Sequence, residues 1–381
     1  MNMHELKPLN RNIFTRSFKI LAVFAIIGLF FIIKRYFFGL ASVSNLNDGY
    51  PWGLWIVYDV VTGTAIACGG YAMAILVYML NKGEYHPLVR SALLASMFGY
   101  TLAGVSIYID VGRWWQLHNI FLPQYANLNS IMFEVAVCVA GYVMVMWIEF
   151  SPAFLEGREK HRKKLNIVNK IMFIFIALGV LLPTMHQSSL GSLMIIAGKK
   201  LSPLWQTNFL PLLFLISAVT MGYAMVVFES VYSSIGLRRA METSILSKLS
   251  AIIPVLIITF LLIRFADLIW RGEVALMLKG DLKSIVFIIE NICFIYPAII
   301  LLSRKKRNNP KHLFFSASTI ILAGALYRFN AFLIGFDPGN GYHYFPAFSE
   351  IMITLGIIAI EIMAYLVFVK KFPVLPDLKH A

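Results

Sequence analysis

Ten apolar runs, over 17–37, 52–80, 89–110, 127–150, 166–185, 207–232, 248–270, 283–302, 312–334 and 347–369, take up most of the chain. Each has about the 20 residues that carry an α-helix across ~30 Å of hydrocarbon. Water does not reach that layer, so backbone N–H and C=O groups pair within their own segment and long apolar runs become helices. The expected fold class is all-α: a polytopic membrane protein with ten transmembrane helices. Composition agrees, because only 14% of residues are charged where a soluble domain carries about 25%.

The formal net charge of +14 suits either a nucleic-acid binder or a membrane protein with basic loops. Its distribution decides. The N-tail, 81–90, 152–170, 233–248, 303–311 and the C-tail hold 23 Lys and Arg, and the intervening connections hold 8. That alternation puts both termini in the cytoplasm and requires an even number of helices. The lipid bilayer is therefore the expected partner, and no nucleic acid is. Lys7, Arg11, Arg16 and Lys19 precede the first run, but Lys34 and Arg35 follow it without a small-residue cleavage site. The run reads as a retained first helix over 17–37.

Cys68, Cys138 and Cys293 are isolated in apolar runs and no CxxC occurs. No iron–sulfur cluster or other metal site is expected in this chain. The histidines are His4, His86, His118, His161, His186, His312, His343 and His380. Only His186 falls near a polar cluster of an apolar run, and no two are placed to clamp a haem, so no haem is expected.

His186 stands in "LLPTMHQSS" (181–189), where Pro183 and a burst of polar residues follow the fifth run. The expectation is that His186 closes the fifth helix. Residues 190–198, too short to span, then form a periplasmic or re-entrant piece. Gly-Tyr-x-Met recurs at 70–73, 141–144 and 222–225, where small residues permit close helix approach.

An ionisable side chain at mid-membrane costs ~2.5–3.5 kcal/mol on insertion scales, so such groups are paired or useful. Asp59 lies ~12 Å, Tyr100 ~15 Å and Glu134 ~10 Å from the outer ends of the second, third and fourth helices at 1.5 Å per residue. With His186 they share a depth, which favours one site over four separate structural roles. Glu149 lies ~22 Å beyond Glu134 on the same helix, and Glu229 ends the sixth on the inner side. Both read either as steps of a proton path or as interfacial carboxylates. Arg264 and Asp267, three residues apart, are expected to form a structural ion pair. Trp52, Trp55, Trp114 and Trp115 are expected at the outer interface.

The segments "YPWGLWIVYDVVTGTAIACGGYAMA" (50–74), "YHPLVRSALLASMFGY" (85–100), "IDVGRWW" (109–115), "NSIMFEVAVC" (129–138) and "LLPTMHQSSLGSLM" (181–194) resemble the NrfD/polysulfide-reductase-C family. Within it the likeness is to HybB-type membrane subunits of NiFe hydrogenase-2, over essentially the whole chain. The resemblance implies a haem-free, quinone-reactive anchor in the bacterial inner membrane. Its partners would be a periplasmic ferredoxin-like iron–sulfur subunit and the large and small NiFe hydrogenase subunits, and its quinone menaquinone. It implies a four-helix quinone bundle over 52–185, packed against a second bundle over 207–334, with a last helix over 347–369. Asp59, Tyr100, Glu134 and His186 match its quinone-site positions. Glu134, Glu149 and Glu229 match carboxylates tied to proton movement. The alternatives are a quinol-oxidising or anchoring subunit of another oxidoreductase of the same family, or a proton-coupled transporter without redox role.

Overall fold

The computed structural model describes residues 8–9, 11–156 and 161–375. His4, Lys7 and His380 lie outside them. Ten helices among the described residues are long and apolar enough to span: α1 Arg16–Phe38, α2 Trp55–Met79, α3 Gly83–Asp110, α4 Ile131–Leu155, α5 Arg162–Ile196, α6 Leu210–Gly236, α7 Thr243–Trp270, α8 Leu282–Leu302, α9 Pro310–Ile334 and α10 Phe348–Lys371. Outside helices and turns, the described residues hold one isolated β-bridge, Leu201–Phe336. The chain is a multi-pass, all-α membrane protein.

Neighbour relations put α2 at the centre. It packs on α3, α6 and α9, and 83% of its most apolar stretch is buried against 11% for α1. The sequence α3–α4–α5–α6 continues as side-by-side neighbours, as does α6–α7–α8–α9, and α6 also lies along α9. α1 runs beside α10, which packs on α3 and on the first part of α2. These neighbours support a division into bundles α2–α5 and α6–α9, which we retain as a proposal. Ile20, Ile26, Phe30, Ile285, Ile292 and Ile299 are exposed, as suits side chains that face lipid.

Small residues set close helix crossings. A Cβ on Gly28 would stand 2.8 Å from the Gly356 Cα, and the reverse holds for Gly356, so α1 and α10 touch backbone to backbone. A Cβ on Gly222 would stand 2.5 Å from the Cys68 carbonyl oxygen, which fixes α6 against α2. Of the three Gly-Tyr-x-Met elements, those at Gly70 and Gly222 make close approaches. Gly141 meets only the flexible Leu182 side chain, 3.4 Å away.

α5 departs from expectation. It does not end at His186 but continues unbroken from Arg162 to Ile196 with Pro183 inside it. Neighbouring helices and hydroxyls re-satisfy what an intramembrane proline frees. Pro183 leaves the Gly179 carbonyl without its helical donor, and one residue on Thr184 Oγ1 donates to the Val180 carbonyl at 2.7 Å. Beyond the proline, Gly191 packs so tightly on α6 that a Cβ would lie 2.5 Å from the Leu210 carbonyl oxygen. Residues 190–196 are thus the last turns of a spanning helix, not a re-entrant piece.

The expected Arg264–Asp267 pair does not form. Arg264 donates to Glu290 on α8, both almost fully buried, while Asp267 accepts from Arg271 Nε at 2.7 Å. Trp205 Nε1 and Asn330 Nδ2 donate to the second Glu290 oxygen at 3.0 and 2.6 Å. Phe260, Phe287 and Tyr327 surround the guanidinium. The i,i+3 spacing allowed a local pair, but Asp267 sits nearer the helix end, where Arg271 also lies. Trp52 and Trp55, just before and at the start of α2, pack inside the protein. They are buried and donate to the Phe332 and Glu350 carbonyls, whereas Trp115 is exposed.

Glu290→Ala would strand a buried guanidinium, at a cost of ~3–5 kcal/mol. The expected result is a lower thermal midpoint for the detergent-purified protein. An Arg264→Met/Glu290→Leu double variant would lose much less; equal losses would assign the effect to packing. Gly356→Leu is expected to detach α1 from α10, read as faster proteolysis of the N-terminal segment.

Candidate functional site

A connected cluster of buried polar groups joins α2, α3 and α5. Tyr100 OH and His186 Nε2 share a hydrogen bond of 2.7 Å, and both residues are fully buried. Cys68 Sγ lies 3.4 Å from the same hydroxyl. Gln187 Nε2 donates to Thr64 Oγ1 at 3.0 Å and stands 3.3 Å from His186 Nε2. Tyr71 OH and Thr184 Oγ1 are 2.7 Å apart nearby.

This network assigns the imidazole tautomer. Thr64 Oγ1 gives its proton to the Val60 carbonyl at 2.6 Å, so toward Gln187 it accepts only. The Gln187 amide nitrogen therefore faces Thr64. The same NH2 group meets His186 Nε2, and an amide nitrogen only donates. Nε2 is thus an acceptor, Tyr100 donates to it, and the ring proton resides on Nδ1. Nδ1 is buried and has no protein partner, and the Gln187 carbonyl oxygen is in the same position. Buried polar groups without partners are rare and ask for a reason.

A fixed charge stands next to this cluster. Arg328 of α9 is fully buried and within electrostatic range of Cys68, Tyr100 and His186. Its Nη1 donates to the Val61 carbonyl at 2.9 Å, and Nη2 to the Phe214 carbonyl and Ser217 Oγ at 2.9 and 3.2 Å. These partners are dipoles, not carboxylates. The Val61 carbonyl belongs to a π-helical opening of α2, Trp55–Thr62, where Thr62 Oγ1 bonds back to the Val57 carbonyl at 2.8 Å. Such openings turn backbone groups outward and recur at functional sites.

The four expected quinone-site residues do not all meet. Tyr100 and His186 do. Asp59 looks the other way, toward Ser106 of α3 and Thr354 and Glu361 of α10, and its Oδ2 is buried without a partner. Glu134 is half-buried in the first turn of α4, and the cluster's hydrogen bonds do not include it. A shared depth along helices does not fix which face a side chain occupies, and α2 turns Asp59 toward α10. Glu149 packs on Gly179 of α5, where a Cβ would lie 2.5 Å from its Oε1. It neighbours Tyr142, whose ring meets Tyr100 edge-on with centroids 4.6 Å apart. Glu229 accepts from Tyr365 of α10. Gln187, Thr64 and Cys68 were not singled out by the sequence reading. Gln187 carried the one usable signal, its position beside His186.

A haem held by two histidines does not fit. His186 Nε2 is engaged by Tyr100 and Gln187. The other described histidines, His86, His118, His161, His312 and His343, lie at helix ends or in connections. The described residues contain no group of three or more His, Cys, Asp or Glu arranged to hold a metal, and all three cysteines are free.

Comparison with known proteins now bears on these observations. Residues 42–335 match the family described as "Polysulphide reductase, NrfD". The chain is 47% identical to the "Probable Ni/Fe-hydrogenase 2 b-type cytochrome subunit" of Escherichia coli K12, over 99% of this chain and 97% of that protein. It is 26% identical to the "Menaquinone reductase, integral membrane subunit" of Nitratidesulfovibrio vulgaris Hildenborough, over 88% and 86% of the two chains. It is 23% identical to a selenate reductase subunit of Mesobacillus selenatarsenatis, over 66% and 63%. The chain belongs to the NrfD family of polytopic membrane subunits.

Proposed function

We propose that this chain is the quinone-reactive membrane anchor of a periplasm-facing hydrogenase complex in the bacterial inner membrane, with both termini cytoplasmic. Electrons arrive from a ferredoxin-like iron–sulfur subunit, fed by NiFe hydrogenase large and small subunits, and menaquinone is reduced to menaquinol. The names of the E. coli and N. vulgaris relatives support the hydrogenase and menaquinone parts of this reading. The observation that carries it is the His186 Nδ1–H, a buried donor with no protein acceptor.

When bound, a quinone supplies a two-electron, two-proton acceptor with carbonyl oxygens that need hydrogen-bond donors. His186 Nδ1–H suits such an oxygen, and Tyr100, by donating to Nε2, holds the ring in the tautomer that keeps Nδ1 protonated. Arg328 favours negative charge gained beside it, because its own partners do not neutralise it. Burial keeps bulk water out, so protons are delivered by side chains. Glu149, near Tyr142, is the acid on the α4 side toward Phe150. Asp59, turned toward α10, and Glu229, bonded to Tyr365, belong to a separate line, and Glu134 stands apart from both.

His186→Phe is expected to abolish menaquinone-analogue reduction by the purified complex, about 10²-fold or more, with every protein of the complex still present in its usual ratio. Full turnover in that variant would exclude the site. Solid-state NMR on 15N-histidine-labelled protein is expected to report a protonated Nδ1 and an acceptor Nε2 for His186; the opposite tautomer would remove the donor on which this reading rests.

A further inference from the structure

A second line of polar groups runs along α10, which lies beyond the residues matched by the family. At its start Asp59 faces Ser106 and Thr354. Asp59 Oδ2, Ser106 Oγ and Thr354 Oγ1 are all buried and face one another, so the two hydroxyls are the polar company of this carboxyl. Seven residues further along α10, ~10 Å at 1.5 Å per residue, Glu361 lies within electrostatic range of both Tyr58 and Asp59. Space for its carboxyl is made by Gly99, where a Cβ would lie 3.2 Å from Glu361 Oε1.

Beyond Glu361 the structure opens twice. A cavity of about 10 Å³ has Glu361 and Glu229 both in its wall, together with Ala67, Ala92, Ala95 and Ser96. That is about the room one water needs. A second cavity of about 20 Å³ has Glu229 in its wall and continues past Ser91 and Ser233 to Arg239 and Glu242, after the end of α6. Between the two, Tyr365 OH donates to Glu229 Oε1, while Glu229 Oε2 is buried without a partner. Thr354 to Tyr365 spans ~16 Å of helix, about half of a ~30 Å hydrocarbon layer. The Lys- and Arg-rich ends of the helices close the remainder on the Arg239 side.

We propose that Glu361 is the proton relay between Glu229 and Asp59, so that protons consumed by quinone reduction enter at the Arg239 end and travel along α10. A carboxyl O–H breaks on Glu229 and one forms on the Glu361 carboxylate through the cavity between them. Glu361 then passes its proton to the Asp59 carboxylate within electrostatic range of it, Asp59 gives its own proton up to the quinone being reduced and returns to carboxylate, and Glu229 is reprotonated from water at the second cavity. Every transfer moves a proton only, so charge and atoms balance without a further reactant. The route uses α2, α3, α6 and α10. It is separate from the α4 carboxylates Glu134 and Glu149. This inference rests on the quinone reading above.

The test uses the whole complex in liposomes. Quinone-analogue reduction and proton uptake are followed together, and a dye reports pH on the side that Arg239 faces. Glu361→Gln is expected to slow both by about tenfold or more, with Glu361→Asp partly restoring them. Ala95→Leu fills the cavity without touching either carboxyl and is expected to slow proton uptake likewise. Wild-type rates of uptake in either folded variant overturn the relay. Infrared spectroscopy separates the two readings, because it needs no turnover: the Glu361 carboxyl band is expected to shift in Glu229→Gln. A band that does not move overturns the relay even if quinone reduction stands. A wild-type complex that reduces no quinone, with the band shift present, overturns the quinone reading and leaves the Glu229–Glu361 coupling.

Discussion

Hydrocarbon offers no hydrogen bonds, so each polar atom inside this bundle is satisfied by another part of the protein or stays unsatisfied at a cost of kilocalories. That constraint organises the core. Arg328 is accommodated because α2 opens into a π-helical segment and turns the Val61 carbonyl toward it. Thr62 takes the Val57 carbonyl inside the same opening. Arg264 is accommodated because Glu290 meets it, and Trp205 and Asn330 in turn satisfy Glu290. One cation is balanced by a carboxylate that polar neighbours hold in place; the other is balanced by dipoles alone. The uncompensated one lies beside Tyr100 and His186.

Against that background the few unsatisfied atoms acquire meaning. The Thr64–Gln187–His186–Tyr100 chain converges on His186 Nε2 and leaves His186 Nδ1 and the Gln187 carbonyl oxygen buried without partners. A network assembled only for stability would have closed on itself. Along α10 a cluster of Asp59, Ser106 and Thr354 is followed by Glu361 and Glu229, which share the wall of one small cavity, and Glu229 also lines a second. The first of these groups suits recognition of a carbonyl oxygen. The second suits passage of protons, because carboxyls and hydroxyls can give and take them.

Close helix contact makes both arrangements possible. Gly222 brings α6 against the turn of α2 at Cys68, and Gly99 leaves room on α3 for Glu361. Side-chain-free surfaces of this kind let backbones approach while carboxyls occupy the space left over. The same principle holds where α5 passes Pro183: Thr184 takes up the Val180 carbonyl and α6 supports the turns beyond.

Ten spans, their order and the class of the fold were legible in the chain, because helix length and apolarity are local properties set by bilayer thickness. The positions of Asp59, Tyr100 and Glu229 along their helices were legible too, since rise per residue is constant, whereas His186 lies ten residues inside α5 and not at its end. Partner choice was not. Depth says nothing of azimuth, so Asp59 could not be seen to face α10, nor Glu134 to stand apart. Pro183 marked a helix end only as long as the hydroxyl and the neighbouring helix that compensate for it were unknown. Arg264 had a carboxylate three residues away and a better one on α8, 26 residues along. The sequence alone determined that charges are buried in a membrane, because apolar runs cannot hide them. Only the tertiary structure decided which groups meet, because in a medium without water each polar atom binds whatever the packing of ten helices brings within about 3 Å.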